Sequence, residues 1–420
     1  MEIAINKEIK MESVIPFNMV EKFELNWNIN CHALFKINGY ISPNAEHHLK
    51  TLYGSKIRVW RVNEDTVQTI FCGYVSKAVI ENTGNAKKVS IEAQSGTCIL
   101  DRKPVSQSFQ STENTYAEIA GESVRRSGGK IICTKGRDRQ IGKPLIQYKE
   151  TTWEFCKRLA SHLGSCIIPD IMTGEPALWF GMRNGNDIPA FTENEYSISV
   201  KQSQTDKKEI SYEIESRAFY SIGDKTVFCG QKLIISSVQA VFENGELIFC
   251  YHLQHKEICP VRYQELFTGL GLMGTVLEVR GEQMKVALDI DGRVSTGDYF
   301  YNWYPVTGNV LYAMPEIGTR VLLYFMNNDE RDGFLLSCIG YSDAHTNFKE
   351  RTLSSVQGNN IDLFEWNIDI CEKKNSIAMW AGNITANSTQ KINILAKDSV
   401  KMNARLVMMQ SPDEIKFCQG

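Results

Sequence analysis

Ile384-Thr-Ala-Asn-Ser-Thr-Gln-Lys-Ile392-Asn-Ile394-Leu-Ala-Lys-Asp-Ser-Val400-Lys-Met402-Asn-Ala-Arg-Leu-Val-Met408 returns to an apolar residue every eighth position. Two places after each of these come Ala386, Ile394, Met402 and then Gln410, so most units put an apolar pair on one side of an extended chain. A fixed short period combined with strand alternation describes a stacked β repeat rather than a globular core. An octad alone cannot bury its own pair, so equivalent strands must supply the other walls. The simplest closed arrangement is an intertwined homotrimer, a β-helix or β-prism with Ile384, Ile392, Ile394, Val400, Met402 and Met408 in its core. The competing arrangement is a plain meander of hairpins.

Upstream, the pattern is also β, but of a different kind. Ala33–Ile37, Ile57–Val62 and Val89–Ala93 alternate and are rich in branched and aromatic residues, with turn chemistry at Asn63-Glu-Asp65 and Asn82-Thr-Gly84. The alternation returns at Tyr212–Ile214, Thr226–Phe228 and Leu233–Ile235, and Asn244-Gly245 marks a two-residue hairpin. Between these β regions lie two helical signals. Thr115-Tyr-Ala-Glu118 is a capping box followed by an apolar stripe that ends at Gly128-Gly129. Thr151-Thr-Trp-Glu154 repeats the device, with Gly164 as the stop. A further set of strands, Gly274–Arg280, Met284–Ile290, Arg320–Phe325 and Gly333–Gly340, suits a small barrel of OB type. The expected fold is therefore mainly β with a small α/β insertion. Its parts are a first β-barrel over 1–108, the insertion over 109–190, a second β-barrel over 191–262, an OB barrel over 268–345 and an octad-repeat β segment over 346–420.

Composition narrows the function. The 420 residues carry 46 basic and 49 acidic side chains, a net charge of −3, so nucleic-acid binding is not expected. No apolar run approaches the roughly 18 residues of a membrane span, and Glu2, Lys7, Glu8, Lys10 and Glu12 leave no signal-peptide core; cytosolic assembly is expected. The twelve cysteines contain no Cys-x-x-Cys pair and read as free thiols.

The motifs that promise chemistry are weak. Gly269-Leu-Gly-Leu-Met-Gly274 spells a dinucleotide fingerprint, but a strand follows it where a helix should open. Asp289-Ile-Asp291-Gly292 lacks the remaining ligands of a calcium loop. His252 and His255 fall on opposite faces of a strand. No catalytic, cofactor-binding or metal-ligating set emerges, and the chain is not expected to be an enzyme.

Three stretches carry a family resemblance. Gln147-Tyr-Lys-Glu-Thr-Thr-Trp-Glu-Phe-Cys-Lys-Arg-Leu-Ala-Ser-His-Leu-Gly164 resembles a helix of the hub-and-spike proteins of contractile injection systems, the VgrG type and its phage-tail counterparts. Met314-Pro-Glu-Ile-Gly318 to Phe325, with Asn328-Asp-Glu-Arg-Asp332, resembles their OB barrel, and Ile70-Phe-Cys-Gly-Tyr-Val75 a strand of their first barrel. The resemblance implies a structural trimer that joins a hexameric inner tube and baseplate to a membrane-puncturing needle, assembled in a bacterial cytoplasm. It also implies a PAAR-like tip protein or effector at the needle end and a target envelope breached mechanically. The repeat is short and reaches Gly420, so a stubby needle is expected. Two other functions compete: a tail-associated peptidoglycan hydrolase, and an OB-fold module for saccharides or single strands.

Overall fold

In the strand Phe17–Asn28, Phe23, Leu25 and Trp27 are buried while Glu24 and Asn26 stay partly exposed, so the alternation read from sequence becomes the two faces of a sheet. The computed structural model describes residues 2–42, 49–63, 66–82, 84, 87–192, 196–202, 208–256, 259–294, 297–305, 313–340, 351–355 and 357–417. They form two compact units, Met1–Ile339 and Gly340–Gly420, both mainly β.

The first unit is built on one 12-stranded sheet. Strands from residues 2–95 make one half and strands from residues 196–254 the other. They join where Phe17–Asn28 pairs antiparallel with Gln231–Glu243, Phe23 facing Phe242 with stacked rings 5.1 Å apart. The two β regions read from the sequence thus share a sheet and a single core. Asn244 and Gly245 both take positive φ (53° and 85°), which lets Gln231–Glu243 fold straight back as Glu246–Gln254. At Gly73 a Cβ would lie 2.2 Å from the Gln94 carbonyl oxygen, so the quoted strand Ile70–Val75 needs glycine there to let its neighbour approach.

The insertion packs helices Tyr116–Arg126 and Thr152–His162 onto a three-stranded sheet of Lys130–Cys133, Ile167–Pro169 and Ala177–Phe180. The first capping box forms as expected: Thr115 Oγ1 accepts from Glu118 N, and Glu118 Oε2 accepts from Thr115 N at 2.7 Å. The second carries half of the device. Thr151 Oγ1 accepts from Glu154 N, but Glu154 engages Lys157 at 2.6 Å and the Thr151 hydroxyl donates to Asp101. Both helices end as expected, with Gly128 and Gly164 at positive φ closing Schellman motifs.

Strands Gly271–Arg280, Gln283–Leu288, Phe300–Asn302, Arg320–Tyr324 and Phe334–Cys338 form a five-stranded sheet. Its two outer strands meet where Tyr304 N donates to the Leu335 carbonyl, beside the Trp303–Leu335 bridge. Gly271 and Gly274 of the apparent nucleotide motif lie in a strand, where a Cβ on Gly274 would sit 2.3 Å from Val286 Cγ1 and 2.8 Å from the Ala287 oxygen. These glycines serve strand packing. Gly274→Ala is accordingly expected to cost about 1–3 kcal/mol; a urea midpoint equal to wild type would remove the packing explanation.

The second unit is a meander of five antiparallel strands, Arg351–Ser354, Asn360–Leu363, Asn367–Glu372, Asn375–Trp380 and Asn383–Ser388, in sequence order. Residues 389–417 form neither helix nor strand. The octads beyond Ser388 therefore do not pair with one another into hairpins within a single chain.

Candidate functional site: a buried interlock and an uncovered apolar face

Two features of the fold are unlike ordinary core or surface. The first lies in the Met1–Ile339 unit, where two of the three quoted stretches meet. Arg158, on the helix Thr152–His162, gives Nε and Nη2 to Glu150 at 3.1 and 2.9 Å, and Nη2 also reaches the Ile146 carbonyl at 2.9 Å. Its Nη1 reaches Glu330 Oε1 at 2.5 Å, in the turn Glu330–Asp332 between two strands of the five-stranded sheet. The three side chains are at most 6% exposed. Arg158 also lies over the Phe155 ring at 5.2 Å.

Burial opposes the charge on Arg158, but Glu330 and Glu150 hold it protonated more firmly than usual. Burial pushes the Glu150 carboxyl up, with Arg158 pulling the other way. The strand Leu145–Thr151 delivers Glu150 through a bulge at which Lys149 has φ of 46°. That strand serves two cores at once: Leu145 is buried among the helices, and Ile146 within the five-stranded sheet. Ser108 adds a further tie, its backbone N and its hydroxyl donating to Asp291 at 2.5 and 2.6 Å. Asp289 pairs with Arg320. Both carboxylates of the calcium-like segment thus have protein partners, and among the described residues no group of three or more metal-ligating side chains gathers.

The second feature lies in the Gly340–Gly420 unit. Register puts Leu353, Ile361, Ile370, Ile377 and Ala386 in one cross-strand row, and Leu363, Ile368, Met379 and Ile384 in the next. Positions two apart share a face, so the whole row set forms one apolar surface. Asp362, Asp369 and Thr385 occupy the other face. Among the described residues nothing covers the apolar side: Ile370 is 40% exposed and Ile384 76%. An open hollow of about 1020 Å³ runs along it, edged by Ile361, Ile370, Ile377, Ala386 and Ile392.

Of the six residues expected in a trimer core, Ile384 joins this surface and Ile392 edges the hollow. Ile394, Val400, Met402 and Met408 are exposed in residues 389–417, outside any strand. The sequence reading overlooked the strands between Arg351 and Trp380, although Ile361-Asp-Leu363 and Ile368-Asp-Ile370 show the alternation plainly. It also overlooked the charge pairing. Glu150, Arg158 and Glu330 stand in the quoted stretches, but their contact spans 172 positions.

The fold is that of VgrG-like hub-and-spike proteins. An E. coli protein described as a component of the type VI secretion system, similar in structure to the T4 bacteriophage tail proteins gp27 and gp5, superposes with a TM-score of 0.57 at 12% identity, over 79% of this chain and 99% of that one. A chain of a lidless PdpA–VgrG complex superposes with 0.56 at 10% identity, over 88% and 94%, and a chain of the lidded Francisella complex with 0.56 at 8%, over 88% and 76%. No protein-family profile matches the chain, and no curated protein sequence matches it.

Proposed function

We propose that this chain is the structural hub and spike of a contractile injection apparatus, acting as a homotrimer. The observation that carries the reading is the uncovered face of the second unit. A five-stranded sheet with a continuous apolar side and no covering layer is a poor fold for a lone chain. Three copies facing an axis bury it and turn the sheets into the walls of a β-prism. In that arrangement Ile384, Ile392, Ile394, Val400, Met402 and Met408 continue the core along residues 389–417, which find their strand partners in other copies.

The Met1–Ile339 unit supplies the hub. Its two sheet halves, on this reading, act as two similar β-barrels, so three copies offer six quasi-equivalent barrels to a hexameric inner tube within the baseplate. The free outer strand Tyr196–Gln202, with Ile198 and Val200 exposed, is a surface a ring contact would use. The five-stranded sheet acts as an OB-type neck. The needle end receives a PAAR-like tip protein or an effector. Particles assemble in the bacterial cytoplasm, and contraction drives the spike through a target envelope. Function is then mechanical, since stacked strands spread an axial force over many backbone hydrogen bonds.

The test is the absolute mass of the purified full chain by light scattering. Three times the 47.6 kDa chain mass is expected, and Ile392→Asp should reduce it. A well-folded monomer at micromolar concentration would overturn the assignment.

A further inference from the structure

The strand Lys130–Cys133 is the edge of the insertion's three-stranded sheet and pairs only with Ala177–Phe180. Lys130 N donates to the Pro176 oxygen and Thr134 N to the Phe180 oxygen, so Ile131 and Cys133 turn their backbone groups to the outer side. Among the described residues no backbone group meets them there. Such an edge is a template for another strand. Each face of it has a hollow. On the helix side one of about 470 Å³ lies between the strand and Ala117, Gly121 and Arg125 of the helix Tyr116–Arg126. Gly121 stands mid-helix, where glycine costs stability, and the three atoms nearest an added Cβ all belong to the Arg125 guanidinium. That wall of the hollow is therefore left bare. Ile131 and its cross-strand partner Leu178 pack toward the helices, so Ile132 and Trp179 point to the opposite face. There they line a second hollow of about 340 Å³, with Ile132 54% exposed.

Charge around the helix-side hollow is one-sided. Arg125 and Arg137 line it, and among the described residues neither pairs with a carboxylate. The acids nearby are taken. Glu118 accepts from Thr115 in its capping box, Glu122 pairs with Arg126, and Glu175 lies 3.8 Å from Lys130 and 3.9 Å from Lys56. Residues 125–139 hold six basic side chains against the single acid Asp138, in a chain whose net charge is −3. We propose that the edge Lys130–Cys133 takes up an extended acidic segment of a partner protein as a fourth strand of this sheet, its carboxylates toward Arg125 and Arg137 and its apolar side chains toward Ile132 and Trp179. The unpaired edge selects an extended occupant, because a strand presents N–H and C=O groups at the matching alternate residues. The two faces select its pattern, since successive side chains of a strand point to opposite sides. The arginines select its sign. The groove is complete within one chain, so the proposal stands whether or not three copies assemble.

Fluorescence anisotropy on the full chain tests this with a labelled peptide of alternating glutamate and valine. Saturable binding is expected, and a peptide of alternating lysine and valine should not bind. N-methylation of one alternate set of peptide amides should abolish binding and of the other set should spare it, since only one set faces the strand. Arg125→Glu with Arg137→Glu reverses two exposed charges and should weaken binding by about tenfold or more. Gly121→Leu puts a good helix former in the bare wall, so it should lower affinity without lowering the thermal midpoint. If the double variant fails to fold, Gly121→Leu carries the test. A lack of saturation up to about 1 mM peptide overturns the proposal. So does binding that survives both variants, or that ignores N-methylation of either set.

Discussion

Ile370→Asp is expected to turn a three-chain particle into single chains. Ile370 sits mid-row on the apolar face, paired with Ile361 on one side and Ile377 on the other. If three such faces meet at an axis, the substitution sets three carboxylates close together against the apolar rows. Each uncompensated charge costs several kcal/mol, and the three also repel one another. Proton uptake softens this at low pH, so the effect should be largest at neutral pH and above. Asp369→Asn is the control, because Asp369 lies next along the same strand but on the opposite face. Light scattering should give a mass near one third of wild type for the first variant and an unchanged mass for the second. A full-mass Ile370→Asp particle would move the interface away from the meander and leave only the octads to hold the copies together.

The apolar face also shows where sequence reading succeeds and where it stops. Period-two alternation is a local property, so Phe35-Lys-Ile37 and Ile57-Arg-Val59 are legible without any knowledge of their partners. The turn at Asn244-Gly245 and the stops at Gly128 and Gly164 are legible because a positive φ selects its residue. Pairing between strands far apart in the chain is not local. Nothing in Phe17–Asn28 by itself announces Gln231–Glu243 as its neighbour, so two separate β regions were the natural reading of what is one sheet. The octads mislead in the opposite way. Their period is visible, yet residues 389–417 join no strand within the chain, so periodicity alone did not say what each octad would pair with. The candidate interlock was half legible. Glu150 and Arg158 share one short segment, whereas Glu330 is reached only through the packing of another sheet.

Arg158→Met is expected to be the most damaging single change in the Met1–Ile339 unit. Methionine fills much of the arginine's volume and keeps a contact with Phe155, so lost packing is a minor part of the effect. The main cost is electrostatic, because Glu150, Glu330 and the Ile146 carbonyl all lose their donor while buried. Breaking a buried pair from one side typically costs about 3–5 kcal/mol, a large share of a domain's stability. The loss should deepen with rising pH, because burial already pushes the Glu150 carboxyl up and the variant removes the guanidinium that opposes it. Arg158→Lys should recover little, since an ammonium cannot serve Glu150 with two donors while also reaching Glu330 and Ile146. The informative partner is the triple variant Arg158→Met, Glu150→Gln, Glu330→Gln. It removes all three charges, so if the damage comes from unpaired carboxylates, the triple variant should be more stable than Arg158→Met alone. Urea unfolding of the three proteins decides it. A loss below about 1 kcal/mol for Arg158→Met, or no recovery in the triple variant, would mean that the joint is held by its apolar contacts through Ile146 and not by the shared guanidinium.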